Sequence, residues 1–269
     1  MMVALAVTPP LLDAFGADRL SSLRSVVLVF DIAAVAVLVL FALLAKARPP
    51  KPPERTEREL QSEGAAIRRK SLRAIFALRN FRLLCIVLFV GNGAFVGVLQ
   101  LLEKILQPKH ISAGTAGNIG AVMVLAGVVG CIVVPALSDR SMRRKPYIVL
   151  AAAVAVPTLF LIGVLDGVVA QFVVGAVTGF FLFSAYPLVL TFAEETTGHA
   201  LTGTATSILL LLGNAGGVVL TLLMEAIKEA TGARTGSFFW SLVFLVALFA
   251  VAVPVAACLR EQPASRPAA

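Results

Sequence analysis

The run AGNIGAVMVLAGVVGCIVVPAL, from Ala116 to Leu137, is followed at once by the polar turn SDRSMRRK, from Ser138 to Lys145. A run of about 20 apolar residues is long enough to cross the roughly 30 Å hydrocarbon core of a bilayer as a helix. The turn behind it carries several basic residues and one acid, which bilayer interiors do not tolerate unpaired. Together the two segments predict a membrane-spanning helix that ends in a short charged loop.

Six further apolar runs of similar length lie on either side of this one, at Ser22–Ala45, Leu83–Leu106, Tyr147–Leu165, Val168–Ala193, Ser207–Ile227 and Phe238–Leu259. Apolar residues make up 59% of the chain and charged residues 14%, an excess that a water-soluble core cannot absorb. The runs lack the alternation of apolar and polar residues that a membrane β-barrel requires. We therefore predict an all-α fold, a polytopic transmembrane helical bundle.

The chain carries a formal net charge of +8, and the positions of its basic residues account for this charge without a nucleic acid partner. Most of the 23 Lys and Arg residues fall in residues 46–82, in the loop at 140–145 and after residue 259, all on one side of the predicted bundle. Cytoplasmic loops of membrane proteins carry such an excess. The sequence thus predicts a multi-pass protein of the cell membrane, with residues 47–77 and the C-terminus in the cytoplasm.

The predicted spans divide unevenly along the chain. Residues 1–46 hold one span, residues 47–77 form a charged connector, residues 78–260 hold six spans, and residues 261–269 form a disordered tail. This asymmetry suggests the end of one helical bundle, a cytoplasmic linker and then a complete second bundle.

Two segments of this division have open alternatives. Val3–Leu12 is apolar but too short to cross a membrane, so it is either the outer end of a truncated helix or an ordinary extracellular tail. In the connector, Leu72, Ile75 and Phe76 share one helical face, as in a helix lying on a membrane surface. A solvated linker with a frayed helix start fits that pattern equally well.

The loop at Leu137–Lys145, read as LSDRSMRRK, resembles the loop signature of the major facilitator superfamily, Gly-x-Leu-x-Asp-Arg-x-Gly-Arg-Arg. The resemblance implies a transporter that works by alternating access, with Asp139 as a gating acid and Arg140 and Arg143 as its local partners. Without it, the same residues would serve as simple positive-inside anchors.

Further segments are similar to the branch of this superfamily related to the feline leukaemia virus subgroup C receptor. They are Arg79–Phe81, Leu101–Lys104, Ala113–Gly130, Ala136–Ser141 and Gly179–Thr197. The resemblance implies that the chain holds the second six-helix half of a twelve-helix transporter plus about one and a half helices of the first. It also implies a small solute such as haem, choline or ethanolamine, and a need for the missing N-terminal half or a second copy.

Two kinds of position depart from the patterns of these families. Pro135 and Met142 stand where the loop signature has glycines, which puts its tight turn in question. Val96 stands where the branch has a tyrosine, and the neighbouring Phe95 points about 100° away around the helix. Choline is therefore compatible with the sequence rather than required by it.

Polar and aromatic side chains within the spans are the candidates for solute binding, because polar groups facing lipid are costly. We expect this role for Asn92, Phe95, Gln100, Tyr186 and Asn214. The alternative for each polar group is a hydrogen bond between helices that only holds the bundle together.

Acidic residues near or within the spans suggest two further roles. Asp31 lies about ten residues into its span, where it is either a protonatable coupling site or a carboxylate close enough to the surface to stay hydrated. Glu195 lies at the inner end of another span and matches a glutamate of the branch pattern, which implies a gate or ion-pair role. Capping of the helix is the alternative.

Glycine pairs four residues apart occur in three spans, at Gly93 and Gly97, at Gly175 and Gly179, and at Gly213 and Gly217. Such pairs allow helix backbones to approach closely in membranes.

Three function classes fit a chain of this composition. A transporter of a small-molecule solute, working within the lipid bilayer, explains the loop and the branch segments. A seven-span receptor fits the span count, but its first inside loop would be unusually long. An intramembrane enzyme is disfavoured, because the spans lack a metal-binding motif or carboxylate dyad, and Cys85, Cys131 and Cys258 lack metal or redox spacing. We predict a transporter with no enzymatic activity, cofactor or metal.

Overall fold

The computed structural model describes residues 19–44, 72–198, 201–235 and 238–261. Their long helices are α1 (Arg19–Leu44), α2 (Arg79–Leu106), α3 (Ala113–Ser141), α4 (Lys145–Val164), α5 (Val168–Thr197), α6 (Thr202–Thr235) and α7 (Phe239–Ala257). A short helix covers residues 72–77, and a 3₁₀ turn follows α2 at Gln107–Lys109. All seven long helices are long and apolar enough to cross a membrane, so the predicted all-α polytopic bundle is confirmed.

Helices α2 to α7 pack into one bundle. The most extensive contacts join α3 with α5, α2 with α6 and α4 with α7, while α2 also contacts α5 and α7. Two apolar clusters fill its interior, one towards each end. We call the end that holds Ser138–Lys145 the inner end and the opposite end, at Gln107–Lys109, the outer end. By contrast, the described side chains of α1 are all exposed.

The predicted glycine pairs lie at the two most extensive helix contacts. A methyl group added to Gly93 of α2 would meet the backbone of Gly216 in α6 at 2.8 Å. A methyl group at Gly179 of α5 would run into the carbonyl of Met123 in α3, and one at Gly175 would lie 3.2 Å from the side chain of Ile119 in α3. A side chain has no room at these positions, so the helices pack backbone to backbone.

A proline within α5 leaves a backbone acceptor that another helix satisfies. Pro187 has no N–H, so the carbonyl of Phe183, four residues earlier, loses its helical donor. The thiol of Cys131 in α3 donates to this carbonyl at 3.3 Å. The sequence indicated only that Cys131 lacks metal or redox spacing, and the structure adds a hydrogen bond between helices in the middle of the bundle.

Several sequence predictions fall on residues outside the described ranges. They concern the apolar segment Val3–Leu12, most of the connector and most of the tail at 261–269. The division into residues 1–46, 47–77, 78–260 and 261–269 therefore stays a prediction.

Candidate functional site

A small recess lies between α2 and α5, in the middle of the bundle. Its walls include Asn92 and Phe95 from α2 and Phe183 and Tyr186 from α5. Three of the five residues predicted to bind solute thus lie together. Complete ligand pockets enclose most of their ligand, whereas this recess has room for about one water molecule, so by itself it can supply only one wall of a binding site.

Aromatic rings line one side of the recess as a stack. The rings of Phe95 and Phe183 lie nearly parallel, at 14° and with 4.9 Å between centroids. Tyr186 follows Phe183 with a centroid distance of 6.3 Å and an angle of 29°. As expected, Phe95 points in a different direction from Val96. Its ring packs against Phe183 of α5. The sequence analysis missed Phe183, although the run FFLFSAY at 180–186 held the signal.

Asn92 supplies the polar group of this wall. It is half-buried, and its amide nitrogen lies 3.3 Å from the point where a side chain on Gly213 of α6 would begin. The missing side chain at Gly213 therefore leaves room for the amide beside the recess. Asn92 lies in contact with both α5 and α6.

The remaining two predicted amides do not line the recess. Gln100 is exposed near the outer end of α2. Asn214 is exposed on α6, where its amide nitrogen donates to the carbonyl of Leu210 at 2.8 Å. Their contribution to solute binding stays a prediction.

At the inner end, an arginine joins the two acids that the sequence analysis singled out. Arg144 forms an ion pair with Asp139 at the end of α3, and its Nε donates to Glu195 of α5 at 3.1 Å. The predicted local partners were Arg140 and Arg143, whose side chains are both exposed. The partner of Asp139 is Arg144 instead, because α3 ends at Ser141 and the chain reverses before Arg144.

The charge of Arg144 is held firmly in this position. Only 16% of its side chain is exposed, against 61% for Asp139 and 48% for Glu195. Burial lowers the pKa of Arg144, but the hydrogen bond to Asp139 and the charge of Glu195 outweigh it and raise that pKa above its usual value. Its Nη1 also donates to the hydroxyl of Ser138 at 3.3 Å. Arg144 therefore forms a charged link between α3, the loop and α5.

The reversal after α3 uses a left-handed backbone conformation at Met142, with φ 52° and ψ 31°. Glycine adopts this conformation without strain, whereas a residue with a Cβ atom does so at a cost. This is the position where the loop signature has glycine. The chain thus forms a tight left-handed turn at Met142 without a glycine, at the expense of local backbone strain.

The end of α7 joins two other helices at the inner end. The amide of Asn80 donates to the carbonyl of Arg260 at 2.7 Å, and the Arg260 N–H donates to Asn80 at 3.1 Å. The neighbouring Glu261 accepts from the Lys145 N–H at the start of α4, at 3.0 Å. Asn80 is buried, so the segment after α7 is fixed against α2 and α4.

Two further points concern the candidate coupling residue and metal sites. Asp31 is exposed on α1. Across the described parts of the chain, no cluster of His, Cys, Asp and Glu has the arrangement of a metal site.

Comparison of the whole chain with known proteins identifies its family. The model of the Major Facilitator Superfamily matches residues 1–221. The choline/ethanolamine transporter FLVCR2 of Homo sapiens is 28% identical over 73% of this chain and 38% of its own length. FLVCR1 of Felis catus, which carries the same description, is 30% identical over 64% of this chain and 31% of its own length.

An uncharacterized protein of Archaeoglobus fulgidus is 34% identical over 56% of this chain and 70% of its own length. The chain spans about a third of the length of the named transporters and more than two thirds of the archaeal relative. The family model covers most of the chain. This chain belongs to the Major Facilitator Superfamily, as a multi-pass membrane protein similar to the branch related to the feline leukaemia virus subgroup C receptor.

Proposed function

We propose that this chain carries a small organic solute across the membrane by alternating access, and that the recess between α2 and α5 forms one wall of the solute site. The recess supports this proposal because it is an open hollow in mid-bundle with aromatic and amide side chains. The mechanism needs no covalent chemistry, so we propose no enzymatic activity.

The solute class that suits the recess is a small organic ammonium compound such as choline or ethanolamine. Phe183 and Tyr186 are partly exposed beside the recess and offer aromatic faces, which attract cations within about 6 Å of the ring centroid, while the buried Phe95 supports Phe183 from behind. Asn92 adds an amide that can hydrogen-bond a hydroxyl group. The names of the eukaryotic relatives describe the same solute class. The aromatic stack is the observation that carries this proposal.

A second polypeptide wall completes the site in this proposal. The recess is smaller than a typical pocket, and Gln100 and Asn214 are exposed elsewhere on the bundle. The facing wall belongs either to a preceding half of a longer protein or to a second copy of this chain. The archaeal relative keeps the second possibility open, since the matched stretch fills 70% of it but only 38% of the human transporter.

The link made by Arg144 has the position of a conformational latch. It joins α3 to α5 at one end only, and its two carboxylates are largely exposed. Exposed ion pairs contribute little stability and can break at low cost. We propose that Asp139, Arg144 and Glu195 close the inner end and separate when it opens, while Arg140 and Arg143 are exposed beside this link.

The remaining parts of the proposal concern topology and coupling. The inner end, with the basic loop at 140–145, faces the cytoplasm of a cell membrane in agreement with the positive-inside rule. Residues 1–46 end a preceding bundle, residues 47–77 connect it, and residues 78–260 form the bundle seen here. Asp31 is a candidate coupling site within the first part.

Binding can be tested without transport by ligand-dependent thermal unfolding of the purified chain. A ligand that binds only the folded state stabilises it by about 2.7 kcal/mol at 100 times its Kd. We expect choline and ethanolamine to raise the Tm, and glucose to leave it unchanged. The variants Phe183→Leu and Tyr186→Leu should lose the shift.

Phe160→Leu provides a matched control, because Phe160 pairs with Phe239 away from the recess at 6.5 Å. It should keep the full ligand shift while changing the unliganded Tm by an amount similar to the other variants. A shift that survives Phe183→Leu and Tyr186→Leu would show that the recess is not the site.

Transport needs a separate measurement, because one copy supplies only one wall. We expect no choline uptake into liposomes that contain at most one copy each. Uptake should appear when two copies are fused in tandem or when a preceding half is supplied. Uptake by single copies would contradict the need for a second wall.

A further inference from the structure

The connection between the linker and α2 carries an exposed face of mixed composition. We call it the arginine–phenylalanine face, and it consists of Leu72, Arg73, Phe76, Leu78, Arg79 and Arg82. The three apolar members are large and are 36–42% exposed. The three arginines are exposed beside them, at the inner end of the bundle. Large apolar side chains and cations on one face are typical of a surface that lies in a membrane interface.

The face is fixed to the bundle rather than free to turn. Ile75, in the same short helix, is fully buried among apolar residues of the inner-end cluster, while Leu72 and Phe76, predicted to share its face, are exposed. Phe76 packs edge-on against Phe81 of α2, with ring centroids 5.5 Å apart. Leu78 has an extended backbone, φ −70° and ψ 117°, so the chain changes direction before α2 begins. The short helix therefore does not continue the axis of the membrane-spanning α2.

The charges of this face have no internal counterpart among the residues that the structure describes. Arg73, Arg79 and Arg82 form no ion pair there, whereas Arg144, at the same end, has two carboxylates. Arginine binds phosphate groups through paired N–H donors, and such bonds are stronger than neutral ones. The face thus presents cations suited to phosphate next to side chains suited to acyl chains.

We propose that the arginine–phenylalanine face binds anionic phospholipids of the leaflet at the inner end. Phe76 and its apolar neighbours lie at the boundary between headgroups and acyl chains, and the three arginines bind the headgroup phosphates. Anionic lipids accumulate beside such basic segments because of the surface potential of the leaflet. The proposal concerns the lipid partner and is independent of the transported solute.

The test uses the full chain reconstituted in nanodiscs, with a fluorescent reporter on the face. The chain has one tryptophan, Trp240, so the variant Trp240→Phe with Phe76→Trp reports only on the face. Brominated phosphatidylglycerol and brominated phosphatidylcholine, at equal mole fractions, each serve as the quencher in turn. We expect quenching by the brominated phosphatidylglycerol to be about twofold stronger or more, because anionic lipid is enriched at the arginines.

Two sets of variants separate headgroup binding from general charge. Changing Arg73, Arg79 and Arg82 together to Gln should make the two lipids quench equally. Changing Arg140 and Arg143 to Gln removes two exposed arginines from the same end of the bundle and should leave the preference intact. Changing the three arginines of the face to Lys keeps the charge and should retain part of the preference. This variant also controls for misfolding, because it alters the same three positions as the Gln variant.

Two outcomes would overturn the proposal. Equal quenching in the chain with its arginines intact would mean that the face enters the membrane without recognising anionic headgroups. A reporter with the emission of a water-exposed indole, quenched by neither lipid, would mean that the face is not in the bilayer and that a protein segment or solvent covers it.

Discussion

Two links at opposite ends of the six-helix bundle, the Arg144 link and the cap of α4, use different chemistry. At the inner end, charged side chains join separate elements, with Arg144 between Asp139 and Glu195. At the outer end, Lys109 and Gln171 both donate to backbone carbonyls, those of Ile162 and Leu165 at the C-terminus of α4. The inner link therefore connects side chains, whereas the outer link closes a helix end.

This difference bears on which end can open. Side-chain ion pairs with exposed carboxylates can exchange their partners for water at little cost. Carbonyls at a helix end need donors in every conformation, and Gln171 is buried with them. The comparison suggests that the Arg144 link can separate, whereas the outer cap of α4 moves as one piece with its helix.

The largest expected effect comes from removing the inner link. Arg144→Gln should lower the unfolding free energy by about 1–2 kcal/mol, because it removes two ion pairs at once and each contributes up to about 1 kcal/mol. At the outer end, Lys104→Gln breaks the exposed ion pair with Glu225 and should cost less than about 1 kcal/mol. Chemical or thermal unfolding in one detergent measures both.

The pH dependence of the stability lost in Arg144→Gln follows from the raised pKa of Arg144. A base whose pKa is raised by folding stabilises the folded state at every pH below its unfolded-state pKa. This stabilisation is lost as the pH rises through its folded-state pKa. The deficit of Arg144→Gln should therefore stay constant between about pH 7 and 9. Equal costs for Arg144→Gln and Lys104→Gln would contradict the proposed difference between the two ends.

The second prediction concerns redundancy at the outer end. Lys109→Ala and Gln171→Ala should each cost little more than the loss of one hydrogen bond, about 0.5–1.5 kcal/mol, since the other residue still satisfies the same carbonyls. The double variant should cost at least about 0.5 kcal/mol more than the sum of the two. Unfolding free energies of the four proteins give this coupling directly, and simple additivity would contradict a shared cap.

The sequence was sufficient to predict the spans, because the thickness of the bilayer sets the length of an apolar run. The sequence also identified Asn92, Phe95 and Tyr186 as candidates for solute binding, because polar and aromatic side chains within spans are the candidate class. It could not show that Phe183 completes their stack. That depends on how α2 packs against α5, and spacing within one helix says nothing about its neighbour.

The missed partner of Asp139 has a similar cause. Arg140, Arg143 and Arg144 are equivalent in composition, and only the point where α3 ends decides which one turns back towards the acid. That point is set by the left-handed residue Met142, a conformation that the sequence suggested only through a resemblance. Gln100 and Asn214 show the same limit, because the presence of an amide within a span does not reveal which neighbours cover it.

The third prediction uses this turn to compare the two ends again. Met142→Gly should raise the unfolding free energy by about 0.5–1 kcal/mol, because glycine adopts a positive φ without strain. His110→Gly is the matched variant at the outer end, where φ is 58°, and should give a similar gain. Thermal unfolding measures both, and a loss of stability in either would show that the side chain contributes more than the strain costs.

The smallest expected effect separates charge from hydrogen bonding where Glu261 accepts from the first N–H of α4. Glu261→Gln keeps an acceptor and loses the charge that favours a helix N-terminus, so it should cost about 0.3–0.5 kcal/mol. Glu261→Ala loses both and should cost about 1 kcal/mol. In high salt the deficit of the Gln variant should shrink while that of the Ala variant largely persists, because salt screens the charge and not the hydrogen bond. Unfolding at two salt concentrations decides this, and equal deficits for both variants at low salt would mean that Glu261 acts through charge alone.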